Sequence, residues 1–228
     1  MNTRGILEYL TDLSRNNNRE WYHANKERYK QVNAEFERFV GELIAFIGEF
    51  DNSIVHNAPK DLTFKLVRDT RFSHDKSPYN PVFRAHISSA GKLPIPVGYY
   101  VLLAPGNRSF LGGGLFASML KDATTMVRDY IAANGKEFET IISGKTFAEH
   151  FVVKGEALKN VPNGYDTTYP QAEYLKNKSW YLEHTVSDEQ IMDADAVVKQ
   201  AARVFQLMKP FNDYLNDALE GFKMPSAR

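Results

Sequence analysis

No cysteine occurs anywhere in the 228-residue chain. Disulfides, thiolate nucleophiles, cysteine-ligated zinc and iron–sulfur clusters are therefore outside its chemistry. The lack of cysteine is compatible with a reducing compartment. Long hydrophobic runs are missing too. The most apolar stretch, residues 93–105, contains prolines and is far short of the ~20 residues that span a bilayer. The first residues, Met1-Asn2-Thr3-Arg4-Gly5-Ile6-Leu7-Glu8, have no apolar centre like that of a signal peptide, and Glu8 and Asp12 interrupt them early. A soluble, cytoplasmic protein with no membrane partner is expected. Net charge is absent as well, with 28 Lys plus Arg against 28 Asp plus Glu. That balance argues against a surface that tracks nucleic acid but leaves room for a local basic site. Of the six histidines (His23, His56, His74, His86, His150 and His184), no two stand at helical ligand spacing, so no metal site is expected. There is no Gly-x-Ser-x-Gly elbow, P-loop or dinucleotide fingerprint.

What is present is a core. A content of 43% hydrophobic and 13% aromatic residues excludes a disordered chain. The length suits one domain covering residues 1–228. Thr3 is a candidate cap for a first helix carrying Ile6, Leu7, Leu10 and Leu13 on one face. Asn18 can cap a second. Tyr29, Val32, Phe36, Phe39, Leu43, Ile47 and Phe50 recur at spacings of three and four, which predicts one amphipathic helix over about 19–50.

From Leu62 the period changes to two. Alternation predicts strands at 62–67, 83–88, 98–104 and 109–113, joined as an antiparallel meander. A helix is predicted over about 117–133, short helical pieces at 138–142 and 147–150, and further strands at 151–153 and 180–182. Ser187 with Gln190 forms a capping box before the last helical run, which Pro210 is expected to break or kink. Helices, then strands, then helices describe an α+β fold: a mainly antiparallel sheet of about four to six strands, packed by a long N-terminal helix and C-terminal helices.

The densest polar cluster lies in the connection 68–80, between the first two predicted strands. From Lys60 to Arg84 there are six bases and three acids, a local positive excess. Arg68, Arg71, Lys76 and Arg84 can supply charge to an anion, and Ser73 and Tyr79 hydroxyls, because a guanidinium grips phosphate or carboxylate through two parallel hydrogen bonds. Arg84 and His86 share one face of their strand. Were the protein an enzyme, Asp69 or Asp75 would be the base and His74 the proton shuttle. An ion-paired loop that merely fixes the path of the chain would use the same residues. Gly112-Gly113-Gly114 before a predicted helix is a second, weaker anion candidate; a strand end where the backbone bends or packs tightly is the preferred account unless loop 68–80 lies beside it. The paired aromatics Tyr99-Tyr100 and Trp180-Tyr181 read as core or rim; base stacking would require an exposed row of them.

The run Arg68-Asp69-Thr70-Arg71-Phe72-Ser73-His74-Asp75-Lys76-Ser77-Pro78-Tyr79 resembles the hallmark of domain-of-unknown-function family 2461, a family of conserved hypothetical proteins. Asn16-Asn17-Asn18-Arg19-Glu20-Trp21, Gly98-Tyr99-Tyr100, the glycine triplet and Leu158-Lys159-x-x-Pro162-x-Gly164-Tyr165 agree with it. The resemblance covers nearly the whole chain. It implies one domain, shifts weight toward a site in the loop, and names no activity, substrate or cofactor. Asn80 departs from it, standing where many relatives carry Lys.

The sequence thus leads to a domain binding a small anionic ligand, a phosphate- or carboxylate-bearing metabolite, through loop 68–80. A non-enzymatic module binding protein or nucleic acid, and a purely structural loop, are the alternatives.

Overall fold

The computed structural model describes residues 1–71, 73–116 and 118–225. Helix α1 (Thr3–Arg15) is capped by Asn2, not Thr3: the Asn2 side-chain oxygen accepts the Gly5 N–H at 2.9 Å. Asn18 caps α2 (Arg19–Ala24) by accepting the Trp21 N–H at 2.8 Å. The helix predicted over 19–50 is in fact two helices. At Asn25 the carboxamide donates to the Trp21 carbonyl at 2.9 Å, a side-chain bond that competes with the backbone ladder. Helix α3 (Lys26–Gly48) then presents Val32, Phe36, Phe39, Val40, Leu43, Ile44 and Ile47 as its buried stripe.

After a 3-10 turn at Asn52–Ile54 comes α4 (Pro59–Leu62), with Pro59 in its first turn. The strand predicted at 62–67 does not form. Thr63 bridges Ala85 and Val67 bridges Tyr79, each as an isolated pair. The Arg68 N–H donates to the Pro78 carbonyl at 2.9 Å and the Asn80 N–H to the Leu66 carbonyl at 2.7 Å. The returning arm of loop 68–80 thus claims backbone groups that a sheet edge would need, and the chain arches away.

The sheet consists of β1 (Phe83–Ile87), β2 (Tyr99–Leu103), β3 (Ser109–Leu115) and β4 (Trp180–Val186), in that spatial order and antiparallel throughout. The first three form the predicted meander. The chain then leaves the sheet through α5 (Lys121–Ala133), α6 (Gly135–Ser143), α7 (Lys145–His150) and α8 (Ala172–Leu175) before returning as β4. Helix α5 begins later than the predicted 117, and Ala117 lies outside the described residues, as does Phe72. Residues 151–153 are not a strand; Phe151 packs edge-on against Phe147 at 5.3 Å, and only Lys154 bridges to β4, at Tyr181.

The capping box at Ser187 and Gln190 is formed and opens α9 (Asp188–Met192); Asp193 caps α10 (Ala194–Ala218). Pro210 does not break α10. Pro210 and Gln206, whose carbonyl loses its helical donor, both lie on the exposed face, where water can replace the missing bond.

Helices α3 and α10 cover one face of the sheet, Phe36 against Phe83 at 5.1 Å and Phe205 against Tyr99 at 5.2 Å. The fold is α+β, and among the described residues a buried hydrophobic cluster includes residues from Ile6 to Leu219. Gly113 lets α10 approach: a Cβ there would stand 2.9 Å from Asn212 Oδ1 and 3.1 Å from Met208 Sδ. The glycine run lies within β3 rather than at a helix N-terminus, so it offers no helix-end anion site. Among the described residues no helix is long and apolar enough to cross a membrane.

Candidate functional site

Loop 68–80 is held by its own charges. Arg68 pairs with Asp75 and also reaches Ser73 Oγ at 3.3 Å. The Arg71 guanidinium grips Asp69 through Nε at 3.0 Å and Nη2 at 2.6 Å. Lys76 donates to the Thr70 carbonyl at 3.0 Å, and Asp75 accepts the Ser77 N–H at 2.9 Å. Hydrogen bonds from Ser77 and Arg68 hold the Asp75 carboxyl well below the usual carboxylate range, and those from Arg71 lower that of Asp69. A carboxylate whose pKa is lowered in this way is a weaker base. His74 is exposed on the loop surface.

Tyr79 is turned inward. Its ring stacks on Tyr22 at 4.2 Å, and Asn17 clamps its backbone, accepting from its N–H at 3.1 Å and donating to its carbonyl at 2.9 Å. Asn17 therefore ties the loop to the N-terminal helices.

Arg84 belongs to a different environment, the sheet face opposite the helices. By the two-residue period that face carries Arg84 and His86 from β1, Tyr100 from β2, Phe110, Gly112 and Gly114 from β3, and Tyr181 and Glu183 from β4. The register aligns His86, Tyr100, Gly112 and Glu183 in one row across all four strands. Gly112 makes room in that row for aromatic rings: a Cβ there would stand 3.1 Å from Phe116 Cζ and 3.4 Å from Phe110 Cε2. On this face lies a groove of about 660 Å³, walled by Phe64, Lys92 and Pro94 on the β1 side and by Gly155, Glu156 and Ser179 on the β4 side. Its volume falls within the roughly 300–1,000 Å³ of small-molecule sites. None of the described residues of loop 68–80 lines it.

The floor is aromatic. Phe110 and Tyr100 stack at 5.7 Å, Tyr100 and Phe116 meet at 5.6 Å, and Phe116 and Tyr181 stack at 4.6 Å. At the β1 wall the Arg84 guanidinium lies 5.1 Å from the Phe64 ring centre and Lys92 Nζ 5.9 Å from it. Burial raises the pKa of the Tyr100 hydroxyl, and the nearby Arg84, hydrogen-bonded to it, partly offsets this. Among the described residues neither Arg84 nor Lys92 has an ion-pair partner. The acids of the β4 wall are paired: Glu183 with Lys154 at 2.7 Å and Glu156 with Lys178 at 2.5 Å. His86 is buried at the β1 end, where loss of water pushes its imidazole down to about 4 and hydrogen bonds to the Leu93 and Lys92 backbone offset this only in part. Among the described residues no group of three or more His, Asp or Glu side chains could hold a metal ion.

A family model described as conserved hypothetical protein, DUF2461, matches residues 5–214. The chain belongs to this family. Neither the curated proteins nor the solved structures hold a match to it. The family description carries no chemistry, so the groove has to be read from its own residues.

Of the residues the sequence singled out, the structure pairs Arg68 with Asp75 and Ser73 and Arg71 with Asp69, ties Lys76 to the Thr70 carbonyl, buries Tyr79, leaves His74 exposed and sets Arg84 beside the groove. Sequence reasoning passed over Phe64, Lys92, Phe110, Phe116, Glu156 and Glu183. A signal was available for part of this: Tyr100, Phe110 and Tyr181 occupy strand positions that alternate with core residues, and large aromatics there need a reason.

Proposed function

We propose that this protein binds a small anionic molecule in the groove on the open face of the sheet, with Arg84 and Lys92 as its charge contacts. One observation carries the reading: two cations flank the Phe64 ring at the mouth of a concave, aromatic-floored groove, and neither has a carboxylate partner among the described residues. A guanidinium with its donors unclaimed by an acid can offer two parallel bonds to phosphate or carboxylate. Loop 68–80 then acts as scaffold. Arg68 and Arg71 are engaged by Asp75 and Asp69, and Asn17 anchors the arch. A cytoplasmic setting suits a cysteine-free protein of this kind.

Thermal melting against inorganic phosphate, nucleotides, sugar phosphates and carboxylates tests this. A ligand at about a hundred times its dissociation constant adds roughly 2.7 kcal/mol, which is roughly 5–10 °C for a chain of this length. The shift should vanish in Arg84→Gln and weaken in Lys92→Gln. A shift that survives both and disappears in Arg71→Ala would return the site to the loop. No shift with any anion would end the proposal.

A further inference from the structure

From the polarity of the groove, and resting on the anion-binding reading, we infer that its ligand is a nucleoside monophosphate, stacked by its base on the Phe116–Tyr181 side with its phosphate at Arg84 and Lys92. The two ends of the groove differ chemically. At the β1 end Lys92 is on the lining, Arg84 lies beside it against the Phe64 ring, and no carboxylate lines the groove there. The β4 end holds two carboxylates, Glu156 and Glu183, each already neutralised by a lysine. Three interstrand steps separate the ends, about 14 Å of sheet. A ligand whose negative charge sits at one end only is favoured. Its other end must be apolar on its faces and rich in N–H donors on its edge.

A base meets both demands. The Phe116 and Tyr181 rings lie 24° from parallel, and Phe116 is 38% exposed, so a flat ring can continue the stack. A paired carboxylate retains lone pairs and accepts from amino or ring N–H groups, as acidic side chains do from the cytosine amine. Gly112 lets the Phe116 ring settle onto the sheet between Tyr100 and Tyr181, since a Cβ there would stand 3.1 Å from Phe116 Cζ, and so sets the platform on which the base stacks. The same acids disfavour a polynucleotide. A strand crossing this face would bring a phosphate to Glu156 and Glu183, and the protein as a whole has no positive excess to compensate.

Calorimetric titration with GMP and CMP, against ribose 5-phosphate and a short single-stranded RNA, decides the matter. GMP or CMP should bind at least tenfold tighter than ribose 5-phosphate. Phe116→Leu and Tyr181→Leu, checked for unchanged melting without ligand, should lose roughly 10- to 100-fold in nucleotide affinity, as stacking contributions imply. They should leave ribose 5-phosphate unaffected, whereas Arg84→Gln should weaken every phosphate. Equal binding of ribose 5-phosphate and the nucleotides overturns the base inference and leaves the anion site standing. Binding of none of the four overturns the base inference, and the anion reading then depends on the carboxylates of the melting panel. RNA binding that exceeds the mononucleotides and steepens at low salt overturns it in favour of a polymer.

Discussion

Acidification should destabilise this protein through His86, by an amount the structure sets. The imidazole is 6% exposed on the second-last residue of β1, and burial lowers its pKa from 6.5 to about 4. The unfolded chain therefore takes up a proton near pH 6.5, while the folded chain resists until about pH 4. Between those values the unfolded state binds more protons, so stability falls as pH falls. It is complete above about pH 7 and loses nothing further from this group once pH is well below 4. About 2 kcal/mol is lost by pH 5 and about 3 kcal/mol by pH 4, given 1.36 kcal/mol per unit. That is a large part of a stability of roughly 5–15 kcal/mol. His184, lowered by burial and by His150, acts in the same direction, so the wild-type curve alone does not isolate His86. Urea unfolding of wild type and His86→Gln at intervals from pH 7.5 to 4 does so. Glutamine keeps a donor for the backbone of residues 92 and 93 and carries no titrating proton. The wild-type midpoint should drop by about 1 M more than that of the variant over this range. Parallel curves for the two proteins would refute the assignment of a buried neutral imidazole.

Two further outcomes follow from the packing. Arg128 on α5 is buried and donates to the Leu175 carbonyl at 2.9 Å and the Asn177 carbonyl at 2.8 Å. Arg128→Met keeps the stem and leaves both acceptors dry, so it should cost about 2–4 kcal/mol, seen as a melting temperature roughly 5–15 °C lower. Gly114 has φ +92°, and a Cβ would stand 2.3 Å from the Trp180 carbonyl oxygen in the paired strand. Gly114→Ala should cost at least about 2 kcal/mol by chemical denaturation, because backbone and not a movable side chain blocks the added methyl.

Much of the fold was legible locally. The alternation at Phe83, Ala85 and Ile87, and in the two strands after it, is a property of neighbours, and those strands formed where expected. The caps at Asn18 and Ser187 are also local, since each closes a bond within three residues. Misreadings arose where a distant partner competed. Residues 62–67 alternate like a strand, yet their partners divide: the Phe64 N–H donates to the Arg84 carbonyl of β1, while the Leu66 carbonyl accepts from Asn80 on the far arm of a loop. Pro210 was expected to break or kink a helix; it does not break α10, because the lost bond falls on the solvent side.

The candidate site divides along the same line. Composition and order of residues determined by themselves that no thiol chemistry exists, that the chain carries an aromatic-rich core, and that basic groups concentrate between Lys60 and Arg84. The family membership over residues 5–214 is likewise carried by the order of residues. Only the tertiary structure decided which of those charges answer one another. Arg68 and Arg71 are engaged by acids a few residues away, while Arg84 shares Phe64 with Lys92. A strand's period states which side chains share a face, but not whether helices or solvent will meet it. The arrival of β4 beside β3, across a long helical excursion, set Tyr181 and Glu183 in register with Gly114 and Gly112. Electrostatic pairing and concavity are properties of distances in space, and residues about seventy positions apart acquire a distance only when the chain folds.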